Sequence, residues 1–444
     1  MIKPNDRLGL AWDRGKVKYQ GSKLKTAILV TAILIAGVIE ARADAVEATV
    51  VTGMQPWAIA VDSVTHRIYV ANQSDSIVTI INGTLNSTTT LPGGKNPDVL
   101  AINPATNKIY VTNYFGSITV IKGATDSAAA ADTIGGTGSM STLIAGNHPS
   151  AMAVNSLTDE IYVANFNDNT VTVISVVNGI NDSTKTLSTT TLAVGSGPEA
   201  LAVNTATNMV YVANSGSNNV TVINGSTNMV TTTVNAGSEP WAIAVDQATD
   251  KIYVANFAGN TATIIDGATN LTTTVNTGAG PVAIAVNQVT NKIYVANEAD
   301  SSVTVINGAS GTSSTIGAGS NPVAIAVNPA TNKIYVANNQ NLGTVTVIEG
   351  TNDSEATMSV GSFPVALAVN SVTNRIYVAN SGGNSVSVIY GNGSGSTAAD
   401  STAGTKSGCG CGSGSGLSLL PPIWFKARSM KKKARLSKTA VKES

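Results

Sequence analysis

The chain of 444 residues repeats one pattern eight times. Each repeat opens with a proline and a short apolar run such as Ala-Ile-Ala-Val, passes through a polar turn to Ile-Tyr-Val-Ala-Asn, and ends near Thr-Val-Thr-Val-Ile-Asn-Gly. The opening prolines are Pro56, Pro97, Pro149, Pro198, Pro240, Pro281, Pro322 and Pro364, and the central tyrosines are Tyr69, Tyr110, Tyr162, Tyr211, Tyr253, Tyr294, Tyr335 and Tyr377. Most successive prolines lie 41 or 42 residues apart. A repeat of this length forms one supersecondary unit that stacks on its neighbours.

The unit after Pro281 shows what each repeat contains. Residues 282–286 are an apolar, alanine-rich run that predicts a buried strand, and residues 292–296 carry the β-branched and aromatic residues of a second strand. Residues 302–306 alternate polar and apolar, and residues 313–316 are rich in serine and threonine, which predicts a third strand and an exposed fourth one. No unit has the 3.6-residue period of a helix. The sequence therefore predicts an all-β protein, a single β-propeller of four-stranded blades.

The two ends of the repeat array indicate how the ring closes. The eighth unit stops at Gly391 without an outer strand, whereas residues 47–51, before the first unit, read as an outer strand without a blade. If the N-terminal strand completes the last blade, no sheet edge stays open. This predicts eight blades; seven blades with one irregular unit is the alternative.

The segment Tyr110-Val111-Thr112-Asn113 recurs as Tyr-Val-Ala-Asn in the other seven repeats. This motif resembles the YVTN family of β-propeller repeats. The resemblance covers residues 45–393. It implies an exported propeller of the type found in archaeal surface-layer proteins and bacterial exported proteins, and it implies no reaction, because the shared residues are structural. Eight units depart from the seven that are common in that family.

Charge is distributed unevenly along the chain. Residues 44–404 contain nine Lys/Arg and 22 Asp/Glu, a net charge of −13, while both ends are basic. An acidic propeller repels phosphate backbones, which excludes nucleic acid as the expected partner. Six of the nine cations precede the Ile-Tyr step of a blade, where we expect solvated turn residues. They are Arg67, Lys108, Lys251, Lys292, Lys333 and Arg375.

Residues 1–43 have the pattern of an export signal. The apolar run 26–39 directly follows Lys16, Lys18, Lys23 and Lys25, and Ala41-Arg42-Ala43 fits a small-x-small cleavage site. The apolar run is short for a membrane-spanning helix, so an uncleaved anchor is the lesser interpretation. The propeller then occupies 44–393.

The C-terminal end divides into two parts. Residues 394–416 form a Gly/Ser/Thr-rich linker that holds both cysteines, Cys409 and Cys411. Residues 417–444 combine a short apolar stretch with a basic tail, which is similar to the C-terminal sorting signals of bacterial surface proteins. The alternatives are a disordered basic tail on an anionic surface and a redox or metal-binding Cys-x-Cys. We expect membrane contact only through the terminal segments.

Residue types for catalysis are scarce in the repeats. Histidine occurs only at His66 and His148, and no metal-ligand spacing, haem-attachment motif or nucleophile elbow is present. We therefore expect no enzyme, no cofactor and no metal site. A propeller lyase or hydrolase using His148 with Glu199 or Glu239 is an alternative.

One distribution stands out against the repeat. The loop before each inner strand and the loop after Tyr-Val-Ala-Asn should emerge on one face, and most of the aromatic residues outside the core fall there, together with His148 and several acids. The candidate ligand-binding residues are Trp57, Asp98, Tyr114, Phe115, His148, Phe166, Glu199, Glu239, Trp241, Phe257 and Phe363. Exposed aromatic residues commonly anchor partners. The alternative is that each aromatic ring caps the groove between its own blade and the next.

Three functions follow from these observations. The first is an exported, non-enzymatic scaffold at the cell surface or in the periplasm that binds a protein or carbohydrate of the cell envelope. The second is a passive surface-layer or envelope structural module, and the third is the propeller enzyme. Ala43, Cys409 and Cys411 are the candidate processing and anchoring residues. The oligomeric state is left open.

Overall fold

A computed structural model describes residues 44–123, 142–177 and 186–391. Every regular element in these ranges is a β-strand, so the described residues include no helix suited to crossing a membrane. The terminal segments and two internal insertions lie outside these ranges.

The strands fall into four sets according to their place in the repeat. The innermost strands are β2 (Pro56–Asp62), β6 (Pro97–Asn103), β10 (Pro149–Asn155), β14 (Pro198–Asn204), β18 (Pro240–Asp246), β22 (Pro281–Asn287), β26 (Pro322–Asn328) and β30 (Pro364–Asn370). The second strands are β3 (Arg67–Asn72), β7 (Lys108–Asn113), β11 (Glu160–Asn165), β15 (Met209–Asn214), β19 (Lys251–Asn256), β23 (Lys292–Asn297), β27 (Lys333–Asn338) and β31 (Arg375–Asn380).

The third and outer strands complete each sheet. The third strands are β4 (Ile77–Asn82), β8 (Ser117–Lys122), β12 (Thr170–Val177), β16 (Asn219–Asn224), β20 (Thr261–Asp266), β24 (Ser302–Asn307), β28 (Thr344–Glu349) and β32 (Ser385–Tyr390). The outer strands are β1 (Ala45–Val51), β5 (Thr88–Pro92), β9 (Thr142–Ile144), β13 (Thr186–Ala193), β17 (Met229–Asn235), β21 (Thr272–Asn276), β25 (Ser313–Gly317) and β29 (Glu355–Ser359).

Four consecutive antiparallel strands make one blade, starting with β2–β5 as blade 1. Blade 8 joins β30, β31 and β32 to β1, so the N-terminal strand supplies the outer strand that the last repeat lacks. Each innermost strand contacts its counterparts in both neighbouring blades, and β2 contacts β30. The prediction of an eight-bladed ring closed by the N-terminal strand is confirmed, and the seven-bladed alternative is wrong.

The repeated tyrosine is the main packing residue between blades. Each tyrosine ring is at most 1% exposed and lies among apolar residues of the following blade. Tyr69 packs with Leu100 and Ile109 of blade 2, and Tyr377 packs with Ile59 and Ile68 of blade 1. Eight such clusters join eight pairs of blades, because alternate residues of a strand point to opposite faces of its sheet.

The asparagine that ends Tyr-Val-Ala-Asn holds the loop that enters its own blade. In blade 1, Asn72 Nδ2 donates to Thr79 Oγ1 at 2.9 Å, and the same oxygen accepts the Gly53 N–H at 3.2 Å. Blade 6 repeats this arrangement with Asn297, Thr304 and Gly278. The buried amide thus positions the loop before each opening proline.

The cations before the Ile-Tyr step are not simply solvated, which corrects the expectation from the sequence. Lys292 Nζ lies 2.7 Å from Asp353 Oδ2 in the outer turn of the next blade, and Lys251 Nζ donates to Gly308 O at 2.9 Å. Each of these two side chains stands at the start of a second strand, where the outer turn of the following blade supplies acceptors. Lys251 and Lys292 therefore make inter-blade contacts.

A second set of contacts joins the blades on the side of the turns that follow the inner strands. The asparagine ending an inner strand donates to the left-handed turn residue of the next blade: Asn204 Nδ2 to Asp250 Oδ1 at 2.7 Å, and Asn287 Nδ2 to Asn332 Oδ1 at 2.7 Å. Between blades 8 and 1 the partners are Asn370 Nδ2 and His66 Nδ1, 3.2 Å apart. This chain of side-chain contacts belongs to the face that we call the turn face.

Candidate functional site

Two sets of loops form the opposite face, which we call the loop face. The residue before each opening proline has a left-handed backbone, with φ of 59° at His148 and 58° at Glu239. Its carbonyl accepts the N–H of the residue that follows Tyr-Val-Ala-Asn: Phe166 to His148 at 2.9 Å, and Phe257 to Glu239 at 2.8 Å. The predicted convergence of these loops on one face is therefore confirmed.

A β-bulge aims one side chain of each blade into this face. Pro56 pairs with Asn72 and Ala58 pairs with Ala71, which leaves Trp57 as the extra residue, and the same irregularity occurs in all eight blades. Bulges re-aim side chains in this way. The bulge residues in ring order are Trp57, Asp98, Ser150, Glu199, Trp241, Val282, Val323 and Val365. Five adjacent blades thus carry aromatic or polar groups, and the remaining three carry valine.

The densest group of aromatic residues spans blades 2 and 3. The rings of Tyr114 and His148 have centroids 4.5 Å apart, Tyr114 meets Phe115 edge-on at 5.3 Å, and His148 meets Phe166 at 5.6 Å. Phe115 is 60% exposed, whereas His148 is 8% exposed. Lys95 Nζ lies 4.8 Å from the centroid of the Phe115 ring, within the range of a cation–π contact. These residues form a row with a buried middle and an accessible end.

The tryptophans occupy opposite sides of the ring, in blades 1 and 5, and both are half-buried. Trp57 packs on the cluster between blades 8 and 1, while Trp241 and Phe257 pack on the cluster between blades 6 and 7. The centroids of Trp241 and Phe257 are 5.4 Å apart. Each ring therefore covers core residues with one side and keeps part of its surface at the loop face.

Phe166 and Phe363 each lie against a glycine of the loop face. A Cβ added to Gly197 of blade 4 would lie 3.3 Å from Phe166, and one added to Gly382 would lie 2.6 Å from Phe363. The expectation that the aromatic rings cap grooves between blades thus describes Phe166 and also Phe257, which lies 3.4 Å from the Cβ position of Gly280 in the next blade. Phe363 covers a loop of its own blade.

Acidic residues dominate the charge of the loop face. Asp98 and Glu199 are 2% and 5% exposed, Glu239 is half-buried, and Glu298 follows Tyr-Val-Ala-Asn in blade 6 with 7% exposure. Within the described ranges, Lys95 is the one lysine or arginine in these loops. A low-dielectric mouth lined by one sign of charge favours cationic or hydrogen-bond-donating groups of a partner.

The sequence interpretation missed Lys95, Ser150 and Glu298. Ser150 Oγ donates to Pro198 O of the next blade at 2.6 Å, so it joins two blades at the channel mouth. A position-by-position alignment of the eight repeats identifies all three. Each stands at a position that contributes to the loop face, and each differs there from the residue type of most other repeats.

The described part of the chain contains no group of three or more His, Cys, Asp or Glu side chains arranged to hold a metal ion. The candidate processing and anchoring residues Ala43, Cys409 and Cys411 lie outside the described residues.

Comparison with solved structures identifies relatives in fold. The chain is similar to the Kuenenia stuttgartiensis hydrazine synthase, with a TM-score of 0.51 and 15% identity over 78% of this chain and 99% of that one. It is also similar to Saccharomyces cerevisiae Sqt1, with a TM-score of 0.64 and 10% identity over 79% of this chain and 98% of that one. At such identities the likeness concerns the β-propeller fold alone.

No family model matches the sequence. No curated protein matches it either.

Proposed function

We propose that this chain is an exported, non-enzymatic β-propeller of the YVTN type. It acts at the cell surface or in the periplasm as a scaffold whose loop face binds a protein or carbohydrate of the envelope. The observation that carries the proposal is the row Lys95, Phe115, Tyr114, His148 and Phe166, where adjacent blades bring aromatic rings within 4.5–5.6 Å of one another. None of these side chains belongs to the shared pattern of the repeat.

The chemistry of this row suits a flat ligand group with polar edges. Aromatic faces stack on apolar surfaces such as those of sugar rings or partner side chains, and aromatic residues carry much of the energy of protein recognition. The carboxylate of Glu239, which is half-buried, would accept hydrogen bonds from hydroxyl or amino groups of the ligand. The half-buried tryptophans extend the same surface across the channel mouth.

Export is supported by the sequence before the propeller. Residues 1–43 have the pattern of a signal segment, and the described propeller begins directly after them, at Asp44. Processing after Ala43 would leave the propeller intact, because its first strand starts at Ala45.

Binding to lipid-free envelope fragments tests the proposal. The full chain is sedimented with detergent-washed fragments of the source cells, and Tyr114→Ser/Phe115→Ser is compared with Leu85→Ser/Leu271→Ser, whose residues are 73% and 72% exposed on the turn face. We expect the first variant to bind about tenfold more weakly, as loss of an aromatic anchor does, and the second to bind like the parent.

Equal binding by both variants would overturn the loop-face proposal. Spontaneous assembly of the purified chain into sheets, without added fragments, would favour the structural module instead. Intact-mass measurement of protein from each cell fraction tests export separately, because removal of residues 1–43 changes the mass irrespective of ligand binding.

A further inference from the structure

Acidic side chains are distributed unevenly over the loop face. The two loops and the bulge of each blade contain seven of them across blades 1–6, and none in blades 7 and 8. The seven are Asp75, Asp98, Asp168, Glu199, Glu239, Glu298 and Asp300. Lys95 is the one lysine or arginine in these described loops, so seven carboxylates and one ammonium group give the face a net charge of −6.

The fold of the loops does not require a carboxylate. In blade 3, Asp168 Oδ2 accepts the Asn147 N–H at 2.6 Å, and Asp300 makes the same contact in blade 6 at 2.8 Å. In blade 4 the neutral Ser217 Oγ accepts the equivalent N–H, that of Ser196, at 3.0 Å. A hydroxyl group therefore suffices to hold this loop, and the negative charge of the exposed Asp168 serves another purpose.

The aromatic rings of the loop face are not required by the repeat either. Trp57 and Trp241 occupy a bulge position that is valine in blades 6, 7 and 8, and Phe166 occupies a loop position that is serine in blades 4 and 8. The exposed ring of Phe115 carries the Lys95 ammonium group 4.8 Å from its centroid. The rings are thus additions to the repeat, and one of them has a cation against it within the protein.

Blades 1, 3 and 5 each combine an aromatic ring with an acid on this face. The pairs are Trp57 with Asp75, Phe166 with Asp168, and Trp241 with Glu239. All six side chains are at least partly accessible. A guanidinium group is planar, stacks on aromatic faces and forms parallel hydrogen bonds with a carboxylate, whereas an ammonium group is a compact point charge. A ring and an acid in three alternate blades therefore favour arginine side chains, spaced along a protein surface.

We propose that the partner of the loop face is a protein with an arginine-rich contact surface, whose guanidinium groups stack on the rings and pair with the acids of blades 1, 3 and 5. The inference rests on the proposed function, because it names the partner of the same face. Charge complementarity selects this occupant. A neutral sugar would leave the charge of −6 without a counterpart, and a second copy of the loop face would oppose acid to acid.

The three buried acids contribute through the electric field around the channel mouth. Asp98, Glu199 and Glu298 are 2–7% exposed, so side chains of a partner contact them little. Low-dielectric walls focus the field of such groups and raise the rate of association with a cationic partner. Added salt screens this attraction. Lys95 is the one cation of these loops that opposes it.

Fluorescence anisotropy of a labelled peptide with the full chain tests the proposal. The peptide consists of arginines separated by Ser-Gly spacers, and the comparison peptide carries citrulline, the neutral isostere, in place of each arginine. We expect the arginine peptide to bind about tenfold more tightly than the citrulline peptide, because only the first forms charge-assisted hydrogen bonds with carboxylates. Its affinity should fall with added salt.

Two double variants of equal charge locate the binding. Asp168→Asn/Glu239→Gln neutralises two loop-face acids and keeps their shape, whereas Asp266→Asn/Glu355→Gln neutralises two acids at the turn-face ends of β20 and β29. We expect the first to bind the arginine peptide about tenfold more weakly and the second to bind it like the parent. Lys95→Ser, which introduces the residue that four other blades have at this position, should bind it more tightly.

The contribution of stacking has its own variant. Trp241→Val gives blade 5 the bulge residue of blades 6, 7 and 8, so the repeat itself shows that the fold tolerates it. We expect this variant to lose the preference of the parent for the arginine peptide over a lysine peptide of the same spacing, because a guanidinium group stacks on an indole ring better than an ammonium group does. Thermal unfolding of every variant checks that the fold is retained.

Equal binding of the arginine and citrulline peptides would overturn the inference. An equal loss in both double variants would also overturn it, since the effect would then reflect overall charge. So would binding of glucosamine oligomers in place of the arginine peptide, which would assign the face to an amino sugar. The proposed function fails separately, when Tyr114→Ser/Phe115→Ser binds envelope fragments as well as the parent does.

Discussion

The Tyr335 hydroxyl donates to Asp44 Oδ2 at 2.9 Å, which ties the first residue of the described propeller to blade 7, 291 residues further along the chain. The other carboxylate oxygen, Oδ1, lies 2.8 Å from Lys333 Nζ. Asp353 makes the same pair of contacts with Lys292 and Tyr294, one blade earlier. Between blades 6 and 7 this carboxylate comes from Asp353, in the outer turn of blade 7. Between blades 7 and 8, where the ring closes, Asp44 supplies it instead.

Replacing Asp44 by alanine should weaken the closure of the ring. Lys333 is 9% exposed at its side chain and Asp44 is 4% exposed, so the change leaves a nearly buried ammonium with Glu349 as its remaining carboxylate, 3.2 Å away. We expect a loss of about 2–3 kcal/mol in the free energy of unfolding, measured in urea. Asp353→Ala is the matched control. Its pair with Lys292 is more exposed and lies away from the closure, so a larger loss there would contradict the assignment.

The repeated tyrosines should differ in how much their hydroxyl groups matter. The Tyr253 hydroxyl is buried and has no hydrogen-bond partner among the described residues, whereas that of Tyr335 is bonded to Asp44. Tyr253→Phe should therefore leave stability unchanged or raise it slightly, and Tyr335→Phe should lower it by about 1–2 kcal/mol. Denaturant midpoints of the two variants measure the difference, and equal midpoints would count against a role for the Asp44 contact.

Two breaks in the turn-face contacts predict stabilising substitutions. Asp62 and Asp246 replace the donor asparagine that ends an inner strand, and the oxygens of Asn107 and Asn291, in the equivalent acceptor positions, are buried without a partner in the described structure. A carboxylate has no proton to donate. The change also removes an acceptor, because the Thr249 hydroxyl donates to Asp246 Oδ2 at 2.8 Å and the Thr65 hydroxyl to Asp62 Oδ2 at 2.7 Å. We therefore expect Asp246→Asn and Asp62→Asn to raise the free energy of unfolding by less than about 1 kcal/mol.

The reverse change supplies the control for those substitutions. Asn204→Asp would place a second carboxylate against Asp250, whose own pKa is already raised by burial and by the charge of Asp266. Stability should therefore fall, and less so at low pH, where one carboxyl of the pair takes up a proton. A loss that does not depend on pH would contradict this electrostatic explanation.

The inter-blade tyrosines predict that the ring unfolds in alkali. Burial raises the pKa of Tyr69, Tyr211, Tyr253 and Tyr377 from 10.0 to about 12, and raises those of Tyr162, Tyr294 and Tyr335 further. The unfolded chain loses these protons near pH 10 while the folded chain keeps them. The tyrosine contribution to stability is therefore constant below that value and falls above it, by about 1.4 kcal/mol per pH unit for each tyrosine until the pKa of the folded state is reached.

Urea denaturation between pH 8 and pH 11, followed with tyrosinate absorbance, measures this dependence. Tyr253→Phe should reduce the slope of the free energy of unfolding against pH by the contribution of one tyrosine, about 1.4 kcal/mol per pH unit. Ionisation of the tyrosines near pH 10 with the strands intact would show that the hydroxyl groups are accessible.

The strands could be predicted because each repeat carries its own local signals. The strand after Pro281 was expected at 282–286 and runs over Pro281–Asn287, and the alternation of residues 302–306 identified β24. The closure followed from a missing outer strand at one end and an unpaired one at the other. A short apolar run in one repeat could belong to a strand or to a helix. The same pattern at the same position in all eight repeats resolves this ambiguity in favour of a strand.

The candidate site could be predicted only as a list of residues. Sequence placed Tyr114 and His148 on the same face, but their 4.5 Å contact depends on a left-handed turn at His148 that packs against the preceding blade. The half-burial of Trp57 and Trp241 depends likewise on a bulge and on the neighbouring blades. The contact between Lys95 and Phe115 could not be predicted, because the two residues lie on different loops.

The sequence by itself determined the order of the strands within a blade and the shared core, since these depend on periodicity and on turns within a single repeat. It favoured eight blades over seven, and the pairing of β1 with β32 decided between them. The tertiary structure decided which exceptional residues meet. Closing the ring brings Asp44 to Lys333, and packing of neighbouring blades brings Lys251 and Lys292 against acceptors of the following blade. The loop face and the turn face lie at opposite ends of the strands. These relationships join residues of different blades, whose distance is set by packing and is not encoded in any one repeat.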